Sequence, residues 1–179
     1  MDDIVKQALL KWPNVPACYG WLGLDARGNW FMRDDQAQAQ GPFCGGTIAS
    51  KGSELKHVKL IDFICRNYAA DELGQWFFQN GPQRVYVELE STPLIWRVGS
   101  TFSVEDHLGR PAVVERCLMD ELGCVYLQTN TGFGLVHTSD MNDVANAVEQ
   151  GVWIPEVAER KTFEAQFKFL RSPEAHQKT

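Results

Sequence analysis

Asp71-Glu72-Leu73-Gly74-Gln75-Trp76-Phe77-Phe78-Gln79-Asn80-Gly81-Pro82-Gln83-Arg84-Val85-Tyr86-Val87-Glu88-Leu89-Glu90 is the stretch on which the fold class turns. Its first half is a turn leading into the aromatic run Trp76-Phe77-Phe78. Its second half alternates apolar and polar residues with a period of two, the mark of a β-hairpin with one buried face. Val85, Val87 and Leu89 form that face, and Arg84, Tyr86, Glu88 and Glu90 form the other. Nothing in the stretch is a nucleophile, a metal-ligand set or a phosphate loop, so it bears on architecture before chemistry.

Parts of the plan recur on both sides. Asp25-Ala26-Arg27-Gly28-Asn29-Trp30-Phe31-Met32 and Asp120-Glu121-Leu122-Gly123-Cys124-Val125-Tyr126-Leu127 share it with Asp71 to Phe78. Asp opens such a turn by bonding nearby backbone N–H groups, Gly supplies positive φ, and the following strand buries large side chains. Duplication and convergent hairpin chemistry both account for copies of this kind.

Composition narrows the field of functions. At 179 residues with 44% hydrophobic content, the chain is long and apolar enough to bury a real core. A formal charge of -6 argues against a nucleic-acid polymer or an anionic membrane as partner, because both select a basic surface. The opening Met1-Asp2-Asp3 is acidic where a signal peptide is basic, and no run approaches the roughly 20 apolar residues of a membrane span. A cytoplasmic protein is expected. Cys18, Cys44, Cys65, Cys117 and Cys124 form an odd set with no Cys-x-x-Cys pair, so reduced, mostly buried thiols are expected rather than a disulfide framework or a zinc ribbon.

In chain order, Asp2 to Lys11 predicts a short packing helix with Ile4, Val5, Ala8, Leu9 and Trp12 on one face. Residues 35 to 46 are polar and then glycine-rich, which predicts a mobile loop. From Ser53 as N-cap, Leu55, Val58, Ile61, Ile64, Cys65 and Tyr68 follow helical spacing. Leu94 to Val98 is a further strand, and Ala112–Met119, Cys124–Thr129 and Leu135–Thr138 predict a three-stranded antiparallel meander. Ser139 or Asp140 caps a helix bearing Met141, Val144, Ala145 and Val148. Phe163, Ala165, Phe167 and Phe169 alternate with polar residues, the period of a half-buried strand, and a disordered tail is expected beyond Pro173.

Candidate sites are weighed on these elements. The Gly41–Gly46 loop lacks the Gly-Lys-Ser/Thr triplet of a phosphate loop. Arg84 and Tyr86 share a polar strand face that could grip a carboxylate or phosphate and stack on a ring if a second layer covers it; an exposed face with an Arg–Glu cross-strand pair is the alternative. His57, His107, His137 and His176 show no zincin spacing, so no metal site is expected. His137, near Ser139 and Asp140, is a candidate general base, yet no nucleophile elbow accompanies it. Six tryptophans exceed ordinary usage and serve either a core or a cleft.

At the Gly-x-Trp turn, the Gly46-Thr47-Ile48 step, the helix through Ile61 and Phe63, and the Val85-x-Val87-Glu88 strand before Pro93, the order of elements resembles an uncharacterised proteobacterial family of unknown function. Its members carry a duplicated α+β core with a pleckstrin-homology-like second half. The likeness covers mainly residues 20 to 98, and the glutamine-rich stretch at 35 to 40 departs from it. The resemblance implies a ligand-binding or signalling protein with a nucleotide-like ligand between the halves, and no catalytic residues or cofactor.

The expected architecture is therefore α+β: two similar antiparallel sheet-plus-helix halves packed together, over residues 1–95 and 96–173, followed by a disordered tail at 174–179. The expected function is binding of a small anionic or nucleotide-like ligand at Trp21, Arg84, Tyr86, Trp96 and His137. A hydrolase using His137 with Asp140 or a cysteine is one alternative, and an interaction module or homodimer using an aromatic strand edge is the other.

Overall fold

Four turns of the form Asp-x-x-Gly shape the chain, at Asp25, Asp71, Asp106 and Asp120. In the last three, one carboxylate oxygen accepts from the backbone N–H groups two and four residues on, as Asp71 does from Leu73 at 3.0 Å and Gln75 at 2.9 Å. Asp25 accepts from Asn29 N–H in the same way. The glycines Gly28, Gly74, Gly109 and Gly123 all take φ between 75° and 84°, the left-handed residue that closes a three-residue hairpin loop. The turn at Asp106 escapes the sequence comparison because Pro111-Ala112 follows it where the other copies have a large apolar run.

The computed structural model describes residues 1–178. Its first elements are helix α1 (Asp3–Lys11), strands β1 (Cys18–Leu24) and β2 (Trp30–Met32), helix α2 (Asp35–Ala39) and strand β3 (Ser53–Glu54). Helix α3 (Val58–Arg66) and strands β4 (Tyr68–Ala70), β5 (Trp76–Asn80) and β6 (Gln83–Leu89) follow. Strands β7 (Leu94–Val98), β8 (Val104–Asp106), β9 (Pro111–Ala112), β10 (Val114–Met119), β11 (Val125–Thr129) and β12 (Gly132–Val136) come next. Helix α4 (Met141–Glu149), strand β13 (Pro155–Val157) and helices α5 (Phe163–Phe167) and α6 (Pro173–Gln177) complete the order.

These elements make an α+β chain of two units. One contains Met1–Asp25, Asn29–Ser91 and the stretch from Phe169 onward; the other contains Ala26–Gly28 and Thr92–Lys168. The first unit's sheet runs β3-β2-β1-β6-β5-β4, and the second's runs β13-β10-β11-β12-β7-β8-β9. Taken from β9, the second reads β9-β8-β7-β12-β11-β10, the first order with every strand six places later, and β13 is added at its far edge. At the centre of each sheet two strands run parallel, β1 to β6 with Leu22 opposite Val87 and β7 to β12 with Trp96 opposite Val136; the added edge strand β13 is also parallel to β10, and the other pairs are antiparallel. The Asp71 and Asp120 turns occupy corresponding links, β4 to β5 and β10 to β11. Shared topology and shared turn chemistry at the same link favour duplication over convergence. The helices do not correspond: α3 precedes β4, whereas α4 follows β12.

Several expectations are corrected here. The helix expected from Ser53 begins at Val58, because Ser53–Glu54 pairs with β2 and His57 provides the cap, its Nδ1 accepting from Leu60 N–H at 3.2 Å. Tyr68 belongs to β4. Residues 35 to 46 are anchored rather than loose. Asp34 caps α2, Phe43 is buried, and the guanidinium of Arg33, 1% exposed, donates to the carbonyls of Ser50, Gly20 and Gly41.

The Phe163 region is the helix α5, not a strand. Phe163 and Phe167 stand four residues apart, so both helix and strand periods place them on one face. In the structure both rings reach Phe133 of β12, Phe167 stacking on it at 3.7 Å. The expected disordered tail is ordered through α6, with Thr179 outside the described residues. Ser172 caps α6, Pro173 occupies its first turn, and Glu88 of β6 accepts from Ser172 Oγ at 2.6 Å and Glu174 N–H at 3.0 Å.

Candidate functional site

An apolar cleft lies in the first unit, between α3 and one face of its sheet. Its shape starts from a bulge. Between the partner pairs Cys18–Val85 and Leu22–Val87, three residues of β1, Tyr19, Gly20 and Trp21, stand against the single Tyr86 of β6. Gly20 takes φ 78°, and a Cβ there would come within 2.9 Å of the side chains of Glu174 and Gln38, so the bulge is built for glycine. Arg33 clamps it, donating from its guanidinium to Gly20 O at 3.0 Å and from its backbone N–H to Trp21 O at 2.9 Å.

In a regular strand neighbouring side chains face opposite ways. The bulge instead lets the consecutive Trp21 and Leu22 wall the same cleft. Cys18 and Met32 extend that wall, Phe78, Asn80 and Val85 supply the floor from β5 and β6, and Leu60 and Ile64 of α3 close the far side. Leu60 and Ile64 are one helical turn apart, and α3 is seated by Phe63 edge-on to Phe78 at 5.5 Å. The cleft measures about 260 Å³ and none of its lining residues is charged. Trp21 remains 43% exposed at its rim.

On the sheet's other face, Tyr19 stacks on Tyr86 at 4.6 Å. Tyr86 is itself buried and donates its phenol to Asp71 Oδ2 at 3.0 Å, and burial pushes that phenol's pKa up. The second unit repeats the arrangement with the phenol on the other strand: Tyr126 of β11 donates to Asp120 Oδ2 at 2.9 Å. Tyr86 is thus committed to closing its own turn. Arg84 is exposed, its guanidinium 4.6 Å over the Phe77 ring, and it borders an open concavity of about 450 Å³ with Asp71, Glu72 and Leu73. The supposed polar face is covered farther along, where Glu88 is 2% exposed beneath α6.

The two remaining expected site residues belong to the second unit. Trp96 is fully buried and its indole N–H donates to Leu127 O at 2.9 Å, a core role. His137 directly follows β12, and its Nδ1 accepts from Ser139 N–H at 3.1 Å. Asp140 does not orient it. Its oxygens accept from Arg97 Nε at 2.7 Å, Arg97 Nη2 at 3.0 Å and Val98 N–H at 3.0 Å, and the Arg97 pair holds its carboxyl below the ordinary aspartate value. The pair a hydrolase would use is therefore not assembled. Among the thiols, burial pushes Cys117 up to about 11, which suits packing rather than attack.

Sequence reasoning missed two features. The β1 bulge has no sequence signal beyond Gly20 itself. His107, foreseen only as a turn residue, accepts from Ile95 N–H through Nδ1 at 3.2 Å, and burial lowers its pKa to about 4. Among the described residues no group of three or more His, Cys, Asp or Glu side chains is placed to hold a metal, and no helix is long and apolar enough to cross a membrane.

A family model described as "Protein of unknown function (DUF2946)" matches residues 1–178. The chain belongs to this family. No curated protein matches it. Among solved structures, this DUF2946 chain is similar to a DUF1285 family protein from Silicibacter pomeroyi DSS-3, at 13% identity over 82% of this chain and 84% of that one, with a TM-score of 0.48.

Proposed function

We propose that this chain is a small-ligand-binding protein whose ligand occupies the cleft beneath α3. One observation carries the proposal: a glycine-dependent bulge, clamped by a buried arginine, turns Trp21 out of strand alternation and onto the wall of an apolar cavity. Concave apolar pockets with a few polar atoms are where small molecules bind. Of the expected site residues, Trp21 alone stands in this cleft's wall. A thermal-shift screen across nucleotides, acyl compounds and other metabolites tests it. A stabilising hit abolished by the cleft-filling change Leu60→Trp supports the proposal, and hits indifferent to that change count against this location.

A second reading is favoured by the Arg84 concavity. Arg84 over Phe77 presents a cation beside an aromatic ring, a pairing suited to the carboxylate or phosphate of an anionic or nucleotide-like ligand. Loss of a nucleotide hit in Arg84→Ala, with Leu60→Trp silent, supports this second reading. The five free cysteines fit a reducing compartment, which supports a cytoplasmic location. A signalling role rests on the family resemblance alone. Homodimer formation is checked by light scattering.

A further inference from the structure

The chemistry of the cleft restricts its occupant. No Lys, Arg, Asp or Glu is among its lining residues, so a ligand charge carried inside would be stripped of water with no partner in return. The side-chain polar groups in the wall are the Asn80 amide, the Cys18 thiol and the Trp21 indole N–H.

Asn80 and Cys18 lie toward one end. Asn80 pairs with Gln83 across the Gly81-Pro82 tip of the β5–β6 hairpin, and Cys18 pairs with Val85 two residues farther in. Away from the tip the sheet wall is made by Leu22 and its cross-strand partner Met32. The Asn80 amide, the one group of the wall that both donates and accepts strongly, therefore stands at the hairpin tip, and carbon side chains dominate the rest. The Asn80 side chain makes no hydrogen bond among the described residues, which leaves its amide able both to donate to and to accept from a ligand.

Size sets the next limit. A buried cavity of about 150 Å³ admits benzene. At benzene's share of about 25 Å³ per heavy atom, the 260 Å³ here corresponds to about ten heavy atoms. The thioether of Met32 and the branched Leu22, Leu60 and Ile64 adapt to a flexible chain more readily than rigid walls would.

Resting on the ligand-binding reading above, we propose that the occupant is a neutral medium-chain amphiphile. Its alkyl or acyl chain lies between α3 and the sheet, and its uncharged hydrogen-bonding head meets Asn80 at the hairpin tip.

Isothermal titration of the full chain with octanol, octanoate at pH 8 and AMP tests this. Octanol is expected to bind saturably, and octanoate about threefold or more weaker because no cation lines the cleft to meet its carboxylate. AMP is expected not to compete. Leu60→Trp is expected to abolish octanol binding, and Asn80→Leu, at an exposed strand end, to weaken it about threefold or more. Octanoate binding as tightly as octanol, or octanol binding indifferent to both substitutions, overturns the assignment. AMP binding lost in Leu60→Trp sinks the neutral amphiphile while leaving the cleft as a ligand site. Failure of all three probes, or light scattering showing a dimer that shields Trp21 from an aqueous quencher, removes both.

Discussion

Glu88 shows how a single residue of the first unit responds to pH. Its carboxyl is buried beneath α6, and burial lifts its pKa above the ordinary glutamate value of 4.5, against the lowering effect of its bonds from Ser172 and Glu174. The folded chain thus holds this proton to higher pH than the unfolded chain. The matching stability is complete below the ordinary value and is lost as pH rises through the lifted one. Urea unfolding from pH 4.5 upward is expected to show this loss, and Glu88→Gln to flatten it. An unchanged slope in the variant would assign the effect to another group. Asp120 closes a turn. It is 3% exposed and accepts from Leu122, Cys124 and Tyr126, so Asp120→Ala is expected to cost about 2–4 kcal/mol, whereas Tyr126→Phe, losing one bond, is expected to cost about 1 kcal/mol. Chemical denaturation of both variants measures the contrast, and equal losses would show that the phenol, not the turn, carries the stability.

At the scale of elements, the bulge in β1 makes the sharpest demand. A side chain at Gly20 must take φ near 78° and meet Glu174 and Gln38. Gly20→Ala is therefore expected to destabilise the chain by about 1–3 kcal/mol and, if the bulge relaxes, to change the accessibility of Trp21 to a fluorescence quencher. A stable variant with unaltered quenching would show that the bulge does not set the indole's position. The hairpins were legible in the sequence because Asp, Gly and alternation act locally: the Asp71 and Asp120 turns and the β10–β11–β12 meander stand as expected. The bulge was not, since it depends on Arg33 and on α6, more than 100 residues away in the chain from Gly20. Helix α5 was misread for a different reason. Phe163 and Phe167 satisfy both periods, and only the stack on Phe133 decides between them. Of the candidate site, Trp21 was legible as an excess aromatic. Trp96 was not separable from it, because burial is not a property of the indole alone.

For the whole molecule, the decisive fact is that the chain returns to its first unit after completing the second. The chain crosses between units at Ser91 and Thr92, and its return at Phe169 had no local signal. That return is held by Leu170 N–H on Gly74 O at 3.0 Å, Leu89 N–H on Arg171 O at 2.8 Å, the two bonds to Glu88, and Glu174 at 3.7 Å from Arg33. Ending the chain at Lys168 strips these contacts and the buried Phe169 ring from the first unit and uncovers Glu88, a loss expected to cost about 3–5 kcal/mol. The second unit, Thr92–Lys168 with Ala26–Gly28, keeps all of its strands. Hydrogen exchange is therefore expected to accelerate in β5 and β6 while β11 and β12 stay protected. Equal acceleration in both sheets would show instead that the two units unfold as one, and that the C-terminal return stabilises the entire chain rather than the sheet it joins.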